Sequence, residues 1–139
     1  MSVLQKSFRV TTRGHPDVLD ITPQVARLVG ESGVRQGIVN IAGVGSTLGI
    51  TMLEFEPGCV ADLQRALDQI APADGDYAHN ERWGDGNGYA HLRSALMGTA
   101  RSFPVAEGRI LTGTWQQIIL CDFDNRARER QVLVTVVGE

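Results

Sequence analysis

The sequence contains little cysteine, little lysine and no long apolar run. Its two cysteines, Cys59 and Cys121, are far apart and form no Cys-x-x-Cys pair. This excludes a dense disulfide framework and a thiolate zinc site, and it favours free thiols in a reducing compartment. No stretch approaches the ~20 apolar residues of a membrane helix, and no apolar segment follows a basic start. We therefore expect a cytoplasmic protein that has no membrane partner.

Basic clusters are also absent. The formal net charge is −3, and arginine rather than lysine carries the positive charge. Proteins that bind nucleic acid non-specifically need clustered basic side chains to displace counterions, so we expect no nucleic-acid partner. Hydrophobic residues make up 42% and charged residues 21% of the 139 residues. These values are typical of one globular domain, here spanning residues 1–139.

Hydrophobic periodicity predicts a mixture of strands and helices without regular βαβ alternation. The predicted strands are residues 3–12, 37–42, 48–55, a region within 109–123, and 128–137. The predicted helices begin at Thr22-Pro23, Glu56-Pro57 and Gly88, and they end near Gly33, Ala71 and Met97. His15-Pro16 should end the first strand, and Asp124-Asn125 should form a hairpin turn. This order predicts an α+β fold with a curved, mainly antiparallel sheet, and the exposed edge of the long hairpin favours an oligomer.

A polar loop at residues 73–88 is the first candidate site. It brings His79, Asp85 and Asn87 close in sequence to His91. Two imidazoles and a carboxylate could bind zinc or another divalent ion, and a loop that leads into a helix could bind phosphate. The alternative is a turn-rich loop in which Asp and Asn cap backbone groups. Residue spacing alone leaves both interpretations open.

Ser46 and Thr47 lie in a glycine-rich segment at residues 43–49. The segment lacks the Gly-Lys-Ser/Thr that defines a phosphate loop, and it connects two predicted strands. We therefore interpret it as a tight β-connection whose two hydroxyl groups could contact a ligand.

Charged pairs at a spacing of two residues provide further candidates. Glu54 and Glu56 could act as acid and base, or simply form the solvent face of a strand. Arg126, Arg128 and Arg130 could hold a phosphate or guard the edge of a sheet. Trp115 is expected in the core or an interface, with Gln116 on the opposite face of the strand.

Three sequence blocks are similar to the YjbQ family, the secondary thiamine-phosphate synthase family. The blocks are STLGITMLE at residues 46–54, YAH…DGNGYAHL…LMG at 77–98, and GRILTGTWQQI…DNRARER at 108–130. They follow one another with suitable spacing and cover nearly the whole chain. The combination of Asp-x-Asn-x-x-x-His with Gly-Thr-Trp-Gln is specific, whereas neither pattern is specific alone.

The resemblance implies an α+β domain with a β-sandwich-like core, two to three helices and assembly as a homotrimer, with a polar pocket near a subunit boundary. It also implies a reaction that joins hydroxymethylpyrimidine pyrophosphate to thiazole phosphate, with zinc or magnesium as the expected divalent ion. The implied catalytic residues are His79, His91 and Glu54, and the implied metal ligands are His79, Asp85 and His91. The implied substrate-binding residues are Asn87, Ser46, Thr47, Gln116, Arg128 and Arg130.

The sequence departs from the family pattern at two positions. Gly45 stands where the family usually has histidine, and Leu53 stands where it usually has asparagine beside the glutamate. Two alternatives follow. One is a metal-dependent phosphate-ester hydrolase, and the other is a non-catalytic ligand-binding trimer that has lost the histidine at Gly45. In each case the expected ligand is a small phosphorylated molecule.

Overall fold

The computed structural model describes residues 1–14 and 16–139, so the predicted strand end at His15 lies outside the described residues. Within these residues the chain forms eight strands and four helices. The strands are β1 (Ser2–Thr12), β2 (Asp17–Asp20), β3 (Gln36–Val44), β4 (Leu48–Leu53), β5 (Ala100–Ala106), β6 (Arg109–Ile110), β7 (Gln117–Asp122) and β8 (Arg128–Gly138). The helices are α1 (Thr22–Ser32), α2 (Pro57–Ile70), α3 (Ala78–Trp83) and α4 (Gly88–Met97).

The strands form two antiparallel sheets. The larger sheet has five strands in the order β1-β8-β3-β5-β6, and the smaller has three in the order β2-β7-β4. The predicted α+β class with curved, mainly antiparallel sheets is confirmed. Helix α3 was not predicted, because the loop at residues 73–88 has no apolar periodicity.

The main core lies between the inner face of the larger sheet, helix α1 and the smaller sheet. Val132, Val134 and Val136 alternate along β8 and are buried. The apolar stripe of α1 packs in the same core and consists of Val25, Leu28 and Val29. Each such side chain stabilises the fold by roughly 1.5–3 kcal/mol through the apolar surface it removes from water.

The helix ends follow from local chemistry, with one correction. Gly33 ends α1 with a left-handed φ of 70°, as predicted. Thr22 is not the cap of α1, because its hydroxyl accepts a hydrogen bond from the Ile118 backbone N–H at 2.8 Å. Glu56 caps α2 by accepting hydrogen bonds from the backbone N–H groups of Gly58 and Cys59, which lower its pKa. Glu56 is therefore a helix cap and not an acid–base partner of Glu54.

The predicted hairpin at Asp124-Asn125 is wrong. Strand β7 pairs with β2 and β4, whereas β8 pairs with β1 and β3. The chain therefore passes from the smaller sheet to the larger one between these strands. The predicted long strand is also interrupted between Ile110 and Gln117. Since β8 lies between two other strands, its arginines do not guard a sheet edge.

Helix α4 is held against α2 by a buried arginine. Arg93 is 1% exposed, and its Nε donates to the Ala71 carbonyl at 2.9 Å. Its Nη2 donates to the Asp68 carboxylate, also at 2.9 Å. These contacts fix the orientation of α4, which carries His91. Nowhere in residues 1–14 and 16–139 is there a helix with the length and apolar character to span a membrane.

Candidate functional site

Three connections between the two sheets meet at one place. They follow β1, β3 and β7, and each takes the chain from one sheet to the other. Polar side chains from their ends form a hydrogen-bonded group that we call the polar corner. Its members are Thr12, Thr47, Asp122, Asp124, Arg128 and Arg130.

A two-pronged ion pair forms the centre of the polar corner. Arg130 Nε and Nη2 donate to the two oxygens of Asp122 at 2.7 and 2.8 Å. The Thr12 hydroxyl donates to the same carboxylate at 2.6 Å. Asp122 is 0% exposed and Arg130 is 7% exposed. Because both charges have lost most of their hydration, each is stabilised by the other.

Asp124 connects the polar corner to the predicted site. Arg128 donates to its Oδ2 through Nε at 3.1 Å and Nη2 at 2.9 Å. The Thr47 hydroxyl donates to the same oxygen at 3.0 Å. Asn87 Nδ2 donates to Oδ1 at 3.3 Å. The carboxylate therefore holds the start of α4 against the connections between the sheets.

Acid should destabilise the fold by protonating Asp122 and Asp124. Burial raises the pKa of each carboxyl, but hydrogen bonds outweigh burial, and both pKa values lie below the ordinary value. A free aspartate titrates at about pH 3.9, so these two carboxyl groups bind protons more readily in the unfolded chain than in the folded one. The stabilisation is therefore complete above that pH and is lost as pH falls through the two folded-state pKa values.

Two measurements check this pH dependence. Urea unfolding should give a smaller free energy of unfolding at about pH 3 than at about pH 6. Carboxyl ¹³C shifts of Asp122 and Asp124 should titrate with midpoints below about 3.9. Midpoints at or above that value would contradict the role assigned to the hydrogen bonds.

The structure brings the two predicted imidazoles together. The ring centroids of His79 and His91 are 4.5 Å apart, with the ring planes tilted by 41°. His79 Nδ1 lies 3.5 Å from Asp85 Oδ1, which is within reach of an ion pair but longer than an ordinary hydrogen bond. Among the described residues Nδ1 is buried without a hydrogen-bond partner. The ring therefore has an unused polar atom at the junction of α3 and α4.

Asn87 has a second unused polar atom. It precedes α4, as predicted, but its side chain does not cap the helix. Instead, the amide donates to Asp124, and Oδ1 is buried without a partner among the described residues. Buried polar atoms are nearly always hydrogen-bonded, so an unpaired one at a site suggests a place for water or ligand.

An open depression of about 380 Å³ lies beside His91. It is lined by Gly45, Ser46, His91, Ser94, Ala95, Gly98 and Thr99. The two predicted hydroxyl groups have different surroundings. Ser46 lines the depression, whereas Thr47 is buried and hydrogen-bonded to Asp124 and Arg130. A small ligand in the depression would contact an imidazole and at least one hydroxyl group.

Glu54 and Gln116 are not part of this group. Both are exposed and lie at the end of β4 opposite to Thr47, since Leu53 pairs with Gln117 there. The six-residue strand between the two ends spans roughly 20 Å. The Gln116 side chain accepts a hydrogen bond from the Gly113 backbone N–H at 2.6 Å. Within one chain, these residues cannot act with the imidazole pair.

The predicted metal ligands do not form a complete set in one chain. Across residues 1–14 and 16–139, no three groups from His, Cys, Asp and Glu are placed to hold a metal ion. Structural and catalytic zinc sites need at least three protein ligands. The divalent ion consequently stays a prediction.

Sequence reasoning missed the carboxylates of the polar corner. The sequence predicts Asp122 within a strand region and Asp124 in a hairpin turn, without a role in a site for either. The available signal was a pair of acidic residues at a spacing of two, Asp122 and Asp124. A pair of basic residues at the same spacing, Arg128 and Arg130, follows after three residues.

Comparison with known proteins gives a consistent result. A UPF0047 protein of Methanothermobacter thermautotrophicus is 33% identical over 139 residues, covering 100% of this chain and 95% of the relative. The UPF0047 protein YugU of Bacillus subtilis is 31% identical, covering 96% and 98%. The crystal structure of a YbjQ-like protein of unknown function from Sulfolobus solfataricus is 31% identical, with a TM-score of 0.89 and coverage of 99% and 100%. The model of the family described as "UPF0047 protein YjbQ-like" matches residues 6–139, and the chain belongs to this family.

Proposed function

We propose that this protein is an enzyme of the thiamine-phosphate synthase type. It would join hydroxymethylpyrimidine pyrophosphate to thiazole phosphate and release pyrophosphate. The observation that carries the proposal is the imidazole pair, in which His79 and His91 are 4.5 Å apart and His91 lines an open depression. The three sequence blocks shared with the family support the choice of substrates.

The proposed reaction needs donors for the departing pyrophosphate. The bond between the pyrimidine methylene carbon and a pyrophosphate oxygen breaks, and the thiazole nitrogen forms a bond to the same carbon. Negative charge therefore grows on the departing oxygen, and hydrogen-bond donors directed at it lower the barrier. His91 and the Ser46 hydroxyl line the depression and can supply these donors. The Asp85 carboxylate lies 3.5 Å from Nδ1 of His79, the second ring of the pair.

A divalent ion, zinc or magnesium, stays a predicted cofactor. One chain does not provide a complete ligand set among its described residues, so no step of the proposed mechanism depends on the ion. Both metals belong in the assay.

A homotrimer is part of the proposal. Glu54 and Gln116 lie far from the imidazole pair within one chain, so they could contribute to the site only from a neighbouring copy. Apolar side chains beside them are exposed, with Trp115 at 70% and Phe55 at 42%. Such exposed groups are typical of an interface. We also infer a cytoplasmic location, because Cys59 and Cys121 are both free.

The direct test is formation of thiamine phosphate. Purified protein, with its solution mass measured, is incubated with both substrates and with zinc or magnesium. We expect product that depends on both substrates and is absent from a sample of boiled protein. No product with either metal would contradict the proposed activity, and a monomeric mass would contradict the trimer.

One alternative has an observation in its favour. Arg128 and Arg130 are largely engaged by Asp124 and Asp122, which leaves little free positive charge for a pyrophosphate. A non-catalytic protein that only binds a small phosphorylated molecule would need less free positive charge than an enzyme that stabilises departing pyrophosphate. Saturable ligand binding without turnover, including on a panel of phosphate esters, would favour this alternative over both the synthase and a hydrolase.

A further inference from the structure

One edge of the Arg130 guanidinium is not used by the fold. Its Nε donates to Asp122, and its Nη2 donates to Asp122 and Thr47. Its Nη1 donates to no acceptor among the described residues. The buried side-chain atoms without a partner in that part of the chain are Gln24 Oε1, His79 Nδ1 and Asn87 Oδ1. Nη1 is not one of these enclosed atoms, and the Arg130 side chain is 8% exposed.

Gly45 is what leaves this edge accessible. A Cβ atom at position 45 would lie 2.9 Å from Arg130 Nη1 and 3.0 Å from Leu48 Cδ2. Both distances are shorter than ordinary van der Waals contact, and neither neighbour can move freely. Leu48 is fully buried, and the guanidinium is fixed by three hydrogen bonds. Any side chain at position 45 would therefore press on the guanidinium, and Gly45 itself lines the depression.

We propose that Arg130 Nη1, the Ser46 hydroxyl and His91 form an oxyanion subsite that takes a phosphoryl group. The subsite rests on the proposed function for the choice of a phosphoryl group and deepens it by assigning the contacts. Arginine held in place by its own hydrogen bonds loses little conformational entropy when it binds, which favours affinity. Since Asp122 balances the charge of Arg130, recognition depends on directed hydrogen bonds. Gly45 is a specificity-determining residue because it keeps Nη1 accessible.

The experiment is calorimetric titration of the full-length protein with inorganic phosphate. The variants are Gly45→Ala and, as matched control, Gly30→Ala, because a Cβ at Gly30 meets nothing within 4 Å. We expect saturable binding to wild type, the same affinity within about twofold for Gly30→Ala, and affinity lowered by roughly tenfold or more for Gly45→Ala, the effect of losing a charge-assisted hydrogen bond.

Ser46→Ala is an independent variant in case Gly45→Ala does not fold, and it should also bind phosphate more weakly. Absence of saturable binding to wild type overturns the subsite, as does unchanged affinity in a folded Gly45→Ala or in Ser46→Ala. The titration involves no turnover, so it is separable from the synthase assay. Phosphate binding without product would contradict the proposed activity and leave the subsite supported. Product formation with unchanged phosphate affinity in the variants would support the activity and contradict the subsite.

Discussion

Replacing Arg130 with methionine should lower the free energy of unfolding by about 3–5 kcal/mol. Methionine keeps much of the side-chain length but removes the hydrogen bonds at 2.7 and 2.8 Å to Asp122. Asp122 is 0% exposed, so its charge would stay buried with only Thr12 and a backbone N–H to support it. Urea unfolding at neutral pH measures the change.

Arg126→Met is the matched control for this prediction. Arg126 belongs to the same arginine series but is exposed and makes no side-chain hydrogen bond within the described residues. The Arg126→Met substitution should change the free energy of unfolding by no more than about 0.5 kcal/mol. Equal effects of the two substitutions would contradict a special role for the buried pair. The double variant Arg130→Met/Asp122→Leu should recover part of the loss, because it leaves no unpaired buried charge.

Replacing His91 with glutamine should reduce the rate of thiamine phosphate formation by about 100-fold or more. A side chain that transfers a proton or directs an N–H to a departing group typically contributes 10²–10⁴-fold. His91 lines the depression and lies beside His79. The substitution removes an imidazole that can transfer a proton, and the glutamine amide that replaces it cannot do so. The measurement is the turnover rate at saturating substrate, together with urea unfolding to show that the fold is intact.

Leu92→Gln controls for the introduction of glutamine on α4. Leu92 is 40% exposed and follows His91, but it does not line the depression. Its turnover rate should match that of wild type within about twofold. A full rate in His91→Gln would show that the imidazole takes no part in the reaction.

The parts of the fold that could be predicted are those set by local chemistry. Helix α4 was predicted as residues 88–97 because Asn87 and Gly98 lie at its two ends, and the structure gives the same bounds. Strand β8 was predicted at residues 128–137 from hydrophobic periodicity, and Val132, Val134 and Val136 form its buried face. Such signals depend only on neighbouring residues.

Strand pairing could not be predicted in the same way. Asp124-Asn125 is a turn sequence, and a turn can join two strands of one sheet or pass between two sheets. The choice depends on partners far along the chain, since β8 pairs with β1 and β7 pairs with β2. The predicted hairpin failed because its turn chemistry carries no information on those partners.

The same distinction between local signals and long-range contacts applies to the candidate site. His79, Asp85 and His91 were predicted because imidazole and carboxylate groups are concentrated in one loop. The relation of Asn87 to Asp124, and of Gly45 to Arg130, arises where separate connections meet. Spacing along the sequence does not encode these two contacts, and the sequence analysis therefore interprets the arginines without their carboxylate partners.

In the proposed site, the two imidazoles share one hollow with the ligand. The most direct measurement is an NMR titration with inorganic pyrophosphate, following the imidazole ¹H–¹⁵N signals of His79 and His91, assigned with His→Gln variants. We predict that both sets of signals shift along one saturation curve with a single dissociation constant. Signals that stay unchanged, or that shift with two unrelated dissociation constants, would show that the two imidazoles do not share one ligand site.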